Sequence, residues 1–380
     1  MNTPAPSPGA TAPEPPLLDL GGLRVELKTG GRWRTVIQGV SFSLGAAQAV
    51  GIVGESGSGK SVTARSIARL LPRGARVGGE VRFDGEPVWT MNAARLRRFR
   101  ARDLGIIYQD PRAHVNEMHT IGDFLTEGIR DHPPRERRER AIAALRATGI
   151  PDADRRLKQY PHQLSGGLLQ RVMIAAAILP GPRLLLADEP TTALDVTTQS
   201  EVMAILAEQR DARQLAMIFI THDLDLAAAV TDTIAVMYAG TIVETGPSAT
   251  MHERALHPYT AGLLAARPQP TRVASLYTIP GRPIAAYESG PGCVFASRCA
   301  HAQQRCLEIR PKPRQLGDHV VSCHRAEELQ DILHSVSSDP ATPPTASSGP
   351  ATPPTASSGP TTPPTASSGP TTPPTALERA

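Results

Sequence analysis

The sequence of 380 residues contains no long apolar run. Its most hydrophobic stretches, residues 184–187 and 217–220, have the length of a strand, whereas a membrane-spanning helix needs about 20 apolar residues. Residues 1–16 are rich in proline and alanine, and they lack the basic start and apolar centre of a signal peptide. We therefore expect a protein that is made in the cytosol, stays there, and reaches a membrane only by docking onto another protein.

An excess of charge of one sign is also missing. The chain has 40 Lys and Arg against 36 Asp and Glu, a formal net charge of +4. Such a weak excess does not indicate nucleic acid or lipid as a partner. Arginines concentrate in residues 95–102 and 135–140, and runs of this kind are typical of solvated helix faces. We expect no nucleic-acid partner.

Cysteine is scarce, and all of it lies in one window: Cys293, Cys299, Cys306 and Cys323. In a reducing compartment, clustered cysteines indicate a ligand set rather than disulfides. They are separated by five, six and sixteen residues, which is looser than the close pairs of most zinc sites, while wider spacings also occur in iron–sulfur proteins. Zinc, an iron–sulfur cluster and unmetallated thiols all stay open, with His301, His319 and His324 as further candidate ligands nearby.

Between its ends the chain has the pattern of an α/β protein. Short apolar runs predict buried strands at residues 49–53, 184–187, 217–220 and 234–237, and helical patterns lie at 61–71 and 198–210. This alternation predicts a largely parallel sheet covered by helices.

Changes in composition divide the chain into segments. We predict an α/β domain over residues 17–250, interrupted at about 89–165 by an arginine-rich helical insertion, and a small cysteine-containing module over 251–335. A proline-rich arm, 1–16, precedes the domain. Residues 336–380 are dominated by the repeat ATPPTASSGP, which offers almost no apolar surface to offset the entropy of ordering. Both ends are predicted to be disordered.

The strongest local motif follows the first predicted strand and opens a predicted helix. It consists of Gly54, Glu55, Ser56, Gly57, Ser58, Gly59, Lys60 and Ser61. This spacing is that of a P-loop, whose glycines let backbone N–H groups surround phosphates at a helix N-terminus. Lys60 would add a positive charge, and the Ser61 hydroxyl would be a ligand of Mg²⁺.

A second motif predicts hydrolysis. The apolar strand at 184–187 ends in Asp188 and Glu189, whose side chains point to opposite faces of a strand. Asp188 would hold Mg²⁺, and Glu189 would polarise an attacking water.

A third motif, Ser165, Gly166 and Gly167, precedes the helical run at 172–179 and offers a second backbone cradle for phosphate. One nucleotide does not need two cradles from one chain. We therefore predict that each nucleotide lies between two subunits.

The order of these motifs, together with Gln109, Asp195 and His222, resembles the ABC ATPase family. The resemblance implies a P-loop NTPase core that binds ATP and Mg²⁺. By position, Gln109 would sense the γ-phosphate, contact the metal and face the membrane partner, while His222 would hold the γ-phosphate. Ser165, Gly166 and Gly167 would contact ATP across the dimer, and Asp195 would couple the two sites.

The sequence departs from the family pattern in two respects. Leu168 and Leu169 follow the signature glycines, where the family usually has Gln, Met or Arg. Trp33 is the nearest candidate for the aromatic residue that stacks on adenine, although packing is the alternative reading.

The C-terminal part, from residues 257–264 to the four cysteines, resembles the extension of oligopeptide and dipeptide importer ATPases. The resemblance implies a [4Fe–4S] centre and a peripheral position at the cytoplasmic face of the cell membrane. It also implies two membrane-spanning permease subunits, a sister ATPase chain and, indirectly, an extracytoplasmic binding protein. Import of nickel or a metal chelate is the alternative. A remote alternative is a soluble ABC ATPase that does not serve transport. It is remote because the coiled coils, zinc insertions and second ATPase half of such proteins are missing from the sequence.

Overall fold

The computed structural model describes residues 15–192, 194–267 and 278–338, with side chains up to residue 334. Apart from residues 15–16 and 336–338, the predicted disordered ends lie outside this described part. In chain order the strands are β1 (Leu18–Thr29), β2 (Arg32–Leu44), β3 (Ala49–Val53), β4 (Arg76–Phe83), β5 (Glu86–Pro87), β6 (Leu104–Ile107), β7 (Leu184–Asp188), β8 (Ala216–Thr221), β9 (Thr233–Tyr238), β10 (Thr241–Pro247), β11 (Arg314–Leu316) and β12 (His319–Val321).

The helices are α1 (Lys60–Ile67), α2 (Ala93–Arg98), α3 (Ile121–Glu127), α4 (Pro134–Ala147), α5 (Ala153–Arg156), α6 (Gly166–Ile178), α7 (Val196–Arg213), α8 (Leu224–Val230), α9 (Ser248–Met251), α10 (Pro258–Ala265), α11 (Gln304–Glu308) and α12 (Ala326–Ser338). Helix α12 thus continues a few residues into the range predicted as tail. Among the described residues, no helix combines the length and the apolarity that crossing a bilayer requires.

The large sheet has eight strands in the order β11-β12-β10-β9-β3-β8-β7-β6. Its central strands β9, β3, β8 and β7 are the four that the sequence predicts, and they are parallel neighbours. Strands β3, β7 and β8 are buried throughout. Burial on both faces explains why these segments are continuous apolar runs in the sequence. The predicted parallel α/β sheet is confirmed.

A second sheet, with the order β2-β1-β4-β5, is antiparallel and lies outside the strand prediction. Its strands contain buried, half-buried and exposed residues, which gives a weaker apolar signal than the central runs. Leu20, Leu23 and Val25 of β1 share one apolar core with Val50 and Ile52 of β3. This core joins the small sheet to the large one.

The helical insertion differs from the predicted range of 89–165. Strand β6 lies within that range and pairs with β7 at one edge of the large sheet. Its four residues are too few to stand out between arginine-rich segments. The separate apolar core of the helices extends from Val115 to Leu179 and includes Leu169, so α6 packs with the insertion.

The C-terminal region is built onto the core. Strand β12 pairs with β10 in the large sheet, and Tyr259, Phe295 and Leu329 belong to the same apolar cluster as β7 and β8. The buried Glu244 carboxylate accepts hydrogen bonds from the backbone N–H groups of Leu256 and His257. The predicted module 251–335 is therefore continuous with the ATPase sheet.

Candidate functional site

The glycine-rich loop connects β3 to α1 and depends on a close backbone approach. A Cβ atom at Gly54 would lie 2.1 Å from the carbonyl oxygen of Met237. Gly57 and Gly59 have φ angles of 81° and 106°, a backbone region that favours glycine. The loop therefore has the conformation that a P-loop requires, and it ends at the N-terminus of α1.

Lys60 is held inside this loop. Its Nζ donates hydrogen bonds to the carbonyl oxygens of Gly54 (2.7 Å) and Glu55 (3.1 Å), and it lies 3.9 Å from Glu189 Oε1. Burial lowers the pKa of Lys60, and the neighbouring carboxylates only partly counteract that shift. The ammonium group is thus held against the loop by two carbonyl oxygens, and Lys60 lines the cavity beside it.

Two side chains with oxygen atoms that could bind a metal ion, Ser61 and Asp188, are in contact at the end of the loop. Ser61 Oγ donates a 2.7 Å hydrogen bond to Asp188 Oδ1 at the end of β7. Burial raises the pKa of Asp188, an effect that the Ser61 hydrogen bond opposes. A hydroxyl and a carboxylate are oxygen ligands that Mg²⁺ accepts alongside the phosphates of its substrate.

Glu189 directly follows Asp188 in the chain and is oriented by polar neighbours. Its Oε2 accepts hydrogen bonds from Gln109 Nε2 (3.1 Å) and Thr192 Oγ1 (2.9 Å). Its φ angle is 48°, in the left-handed region that is uncommon for residues with side chains and concentrated at functional sites. Thr192 was missed in the sequence analysis.

An open cavity of about 710 Å³ lies beside these groups, although Asp188 and Thr192 do not form part of its wall. The residues that line it are Val36, Glu55, Ser56, Gly57, Gly59, Lys60, Ser61, Val62, Gln109, Glu189, His222, Leu263 and Pro283. His222, which directly follows β8, is one of these lining residues. Gly54 and Ser58 belong to the loop but not to the wall. A cavity of this size is in the range of small-molecule and cofactor sites.

The second predicted cradle lies elsewhere. Ser165 caps α6 by accepting a hydrogen bond from the Leu168 N–H (3.3 Å), and Asp195 caps α7 by accepting one from the Thr198 N–H (3.0 Å). Ser165, Gly166, Gly167 and Asp195 are all described but do not line the cavity.

Trp33 also lies outside the wall of this cavity. It is 38% exposed, and the guanidinium carbon of Arg76 lies 3.9 Å from its ring centre. The structure therefore pairs Trp33 with a cation of β4 and does not bring it to the P-loop.

The C-terminal region contributes contacts that the sequence analysis missed. Leu263 of α10 and Pro283 form part of the cavity wall. The Tyr259 hydroxyl accepts a 2.8 Å hydrogen bond from the Glu55 N–H, and Arg298 makes an ion pair with the Glu55 carboxylate. No local sequence motif predicts these contacts, because each of them joins residues that are far apart in the chain.

The four cysteines are free thiols that line a second, narrow cavity of about 20 Å³. Burial raises the pKa of Cys299 to about 12 and that of Cys323 to about 11. His257 also lines this cavity; its Nδ1 accepts a hydrogen bond from the Tyr259 N–H, and its buried Nε2 has no partner among the described residues.

The histidines proposed as ligands occupy different places. His301 and His324 line the cysteine cavity, whereas His319 lies 2.9 Å from Glu244. No three His, Cys, Asp or Glu side chains in the described part are placed to hold a single metal ion.

A glycine-rich loop between a strand and a helix, beside an open cavity lined by a buried lysine and a carboxylate, is typical of a P-loop nucleoside triphosphatase. Residues 37–192 match the family described as ABC transporter, and residues 243–306 match the oligopeptide/dipeptide transporter C-terminal region. The chain belongs to the family of ABC transporter ATP-binding proteins, and it is an ATP hydrolase.

Individual relatives agree with this assignment. A protein of Brucella abortus (strain 2308), which carries the name of a peptide import ATP-binding protein, is 45% identical over 313 residues, covering 81% of this chain and 94% of the relative. A Brucella melitensis protein with the same kind of name is 40% identical over 334 residues, covering 83% and 98%.

Solved structures show the same fold. An ATP-binding cassette in a dimeric, post-hydrolysis state with ADP and Pi has a TM-score of 0.55 and 26% identity, covering 61% of this chain and 98% of the cassette. A subunit of the ABC transporter complex cbiONQ from Clostridium perfringens has a TM-score of 0.54 and 26% identity, covering 62% and 90%.

Proposed function

We propose that this protein supplies the energy for import of dipeptides or oligopeptides through an ABC transporter. The observation that carries this proposal is a complete P-loop cavity whose wall includes Leu263 and Pro283. Leu263 lies within the stretch that matches the oligopeptide/dipeptide transporter C-terminal region. The ATPase site and the peptide-importer region thus form one structure.

In the proposed reaction, the P-loop backbone and Lys60 hold the β- and γ-phosphates of ATP. Ser61 and Asp188 are the proposed ligands of Mg²⁺, which when bound neutralises charge on the phosphates, and Gln109 is a third candidate. Glu189 accepts a proton from the attacking water, and its hydrogen bonds to Gln109 and Thr192 fix the direction of the carboxylate. His222, which also lines the cavity, would hold the γ-phosphate.

We further propose that two ATPase subunits close on two ATP molecules. Ser165, Gly166 and Gly167 do not line the cavity of their own chain, and Gly166 has open space where a Cβ would lie. Both facts support contact with ATP bound by the partner subunit, which we propose to be a sister chain. Asp195 would couple the two sites.

The four cysteines are proposed to hold a [4Fe–4S] cluster. A zinc ion would bring four sulfurs to about 2.3 Å from one point, and the described residues offer no such single-ion site. The proposal is supported by the four cysteines lining one cavity, in which the buried Nε2 of His257 has no partner among the described residues. Because this cavity of about 20 Å³ has room for only about one water, the cysteine side chains would have to move apart to admit a cluster, and the buried thiols would release protons on binding.

The proposed location is the cytoplasmic face of the cell membrane, bound peripherally to two membrane-spanning permease subunits. Closure of the ATPase pair would move the helical insertion, which follows Gln109 in the chain, against these subunits. An extracytoplasmic binding protein would deliver the peptide on the opposite side.

The test is uptake of a labelled tripeptide by cells that lack this gene. The complementing variants are wild type, Glu189→Gln and Glu208→Gln, the last being the same chemical change on an exposed residue of α7. We expect wild type and Glu208→Gln to restore uptake and Glu189→Gln to fail. Tripeptide uptake that is unaffected by loss of the gene would contradict the peptide proposal. Restored uptake of radioactive nickel in the same strains would then indicate the alternative cargo.

A further inference from the structure

Glu55 introduces a negative charge into a loop that must bind phosphates. It is the second residue of the P-loop, lies in the wall of the ATP cavity, and is close enough to Lys60 to influence the pKa of its ammonium group. A carboxylate at this position would repel a polyphosphate, because like charges in a partly desolvated site interact strongly. The structure therefore needs a means of neutralising it.

Arg298 provides that neutralisation from the C-terminal region. Its two terminal nitrogens donate to the Glu55 carboxylate at 2.6 and 3.1 Å, in a bidentate arrangement. The Arg298 side chain is only 4% exposed, and the Glu55 side chain is 23% exposed. Paired, shielded charges of this kind interact more strongly than an exposed surface pair.

The guanidinium is fixed independently of Glu55. Its Nε donates a 2.8 Å hydrogen bond to the carbonyl oxygen of Pro280, and another nitrogen lies 3.3 Å from the carbonyl oxygen of Ile279. These two backbone contacts hold the arginine in place in addition to its contact with the carboxylate. It acts as a fixed positive charge beside the loop.

A second C-terminal residue fixes the backbone at the same point. The Glu55 N–H donates to the Tyr259 hydroxyl at 2.8 Å. The backbone N–H and the carboxylate of Glu55 are therefore both bound by residues more than two hundred positions away.

We propose that Arg298 is a positioning residue for ATP binding: it neutralises Glu55 and turns that carboxylate away from the nucleotide phosphates. The inference rests on the nucleotide site described above. Arg298 itself does not line the cavity, so it acts through Glu55 and not by direct contact with ATP.

The proposal predicts a specific pattern of affinities. Arg298→Gln leaves the Glu55 charge in the loop uncompensated, and we expect the Kd for ATP to rise about tenfold, a typical scale for one unscreened charge near a partly buried site. Adding Glu55→Gln removes the repelling charge. We expect the double variant to bind ATP more tightly than Arg298→Gln alone, to within about threefold of wild type.

The experiment is isothermal titration of MgATP into the purified full-length protein, with melting temperatures measured in parallel. Arg183→Gln is the control, because Arg183 makes a bidentate pair with Asp84 outside the cavity and its loss should leave the Kd unchanged. If Arg298→Gln does not fold, Arg298→Lys takes its place, with a smaller loss of affinity and the same relief by Glu55→Gln.

The outcomes separate the alternatives. Wild-type affinity in Arg298→Gln overturns the proposal. A double variant that binds no better than Arg298→Gln also overturns it, because the ion pair would then act only through stability of the fold. Failure of the wild-type protein to bind ATP would contradict the nucleotide site itself, independently of Arg298.

Discussion

Replacing Glu189 with glutamine is the sharpest test of the hydrolytic site, because the structure allows the change to be almost purely one of charge. Glu189 Oε2 accepts hydrogen bonds from Gln109 and Thr192, and the carbonyl oxygen of a glutamine can accept both. The new amide nitrogen would then take the position of Oε1, which lies 3.9 Å from Lys60 Nζ. The variant loses the basic oxygen and a long ion pair but keeps the orientation of the side chain.

The expected effect on turnover follows from the role of a general base. Such a group contributes about 10²–10⁴-fold to the rate, which corresponds to roughly 3–5 kcal/mol of activation free energy. ATP binding should not weaken, because the phosphates lose a nearby negative charge. We therefore expect kcat to fall by at least a hundredfold while the Kd for MgATP stays the same or decreases.

The assay is phosphate release at saturating MgATP by the transporter complex in membrane vesicles, with ATP binding measured on the same preparation. Glu208→Gln is the matched control, since Glu208 is exposed on α7 and the same charge change there should leave kcat unaltered. A Glu189→Gln complex whose kcat is within a few-fold of wild type would refute the assignment of Glu189 as the base. A complex that loses ATP binding as well would refute the expected retention of the loop geometry.

Three further predictions address other parts of the molecule. Gly54→Ala should lower the free energy of unfolding by about 1–3 kcal/mol, because its Cβ would lie 2.1 Å from a backbone oxygen. Urea unfolding measures this change. Gly290→Ala is the control and should be neutral, because the space around Gly290 is open. Gly166→Leu should keep the melting temperature of wild type but abolish ATP-dependent dimerisation in sedimentation experiments, and intact dimerisation would contradict the trans contact. Cys306→Ser should remove the iron and the broad visible absorption of anaerobically purified protein, and a wild-type protein without iron would exclude the cluster.

The central sheet and the P-loop could be predicted from the sequence because their signals are local. A parallel strand buried on both faces must be an apolar run, and β3, β7 and β8 are such runs. The P-loop is likewise defined within eight consecutive residues, Gly54 to Ser61. In both cases the physical constraint acts on neighbouring positions.

Elements with mixed surroundings were harder to predict. Strands β1 and β2 of the small sheet mix buried residues with half-buried and exposed ones, so no continuous apolar run marks them. Strand β6 is only four residues long and follows an arginine-rich segment. Leu169 departs from the family pattern next to the signature, and the structure explains it, because this residue is fully buried in the core of the helical insertion.

The contacts between the C-terminal region and the P-loop could not be predicted from the sequence at all. Arg298 lies in a segment whose cysteines attract attention, and Glu55 lies in a motif whose glycines do, yet nothing in either segment indicates the other. Their pairing depends on β12 joining β10 and on Tyr259 and Phe295 packing into the core of the ATPase sheet. Arg298 directly precedes Cys299 in the chain, and its guanidinium contacts the carboxylate of Glu55. The segment that carries the cysteines therefore also carries a contact to the P-loop, which only the three-dimensional structure reveals.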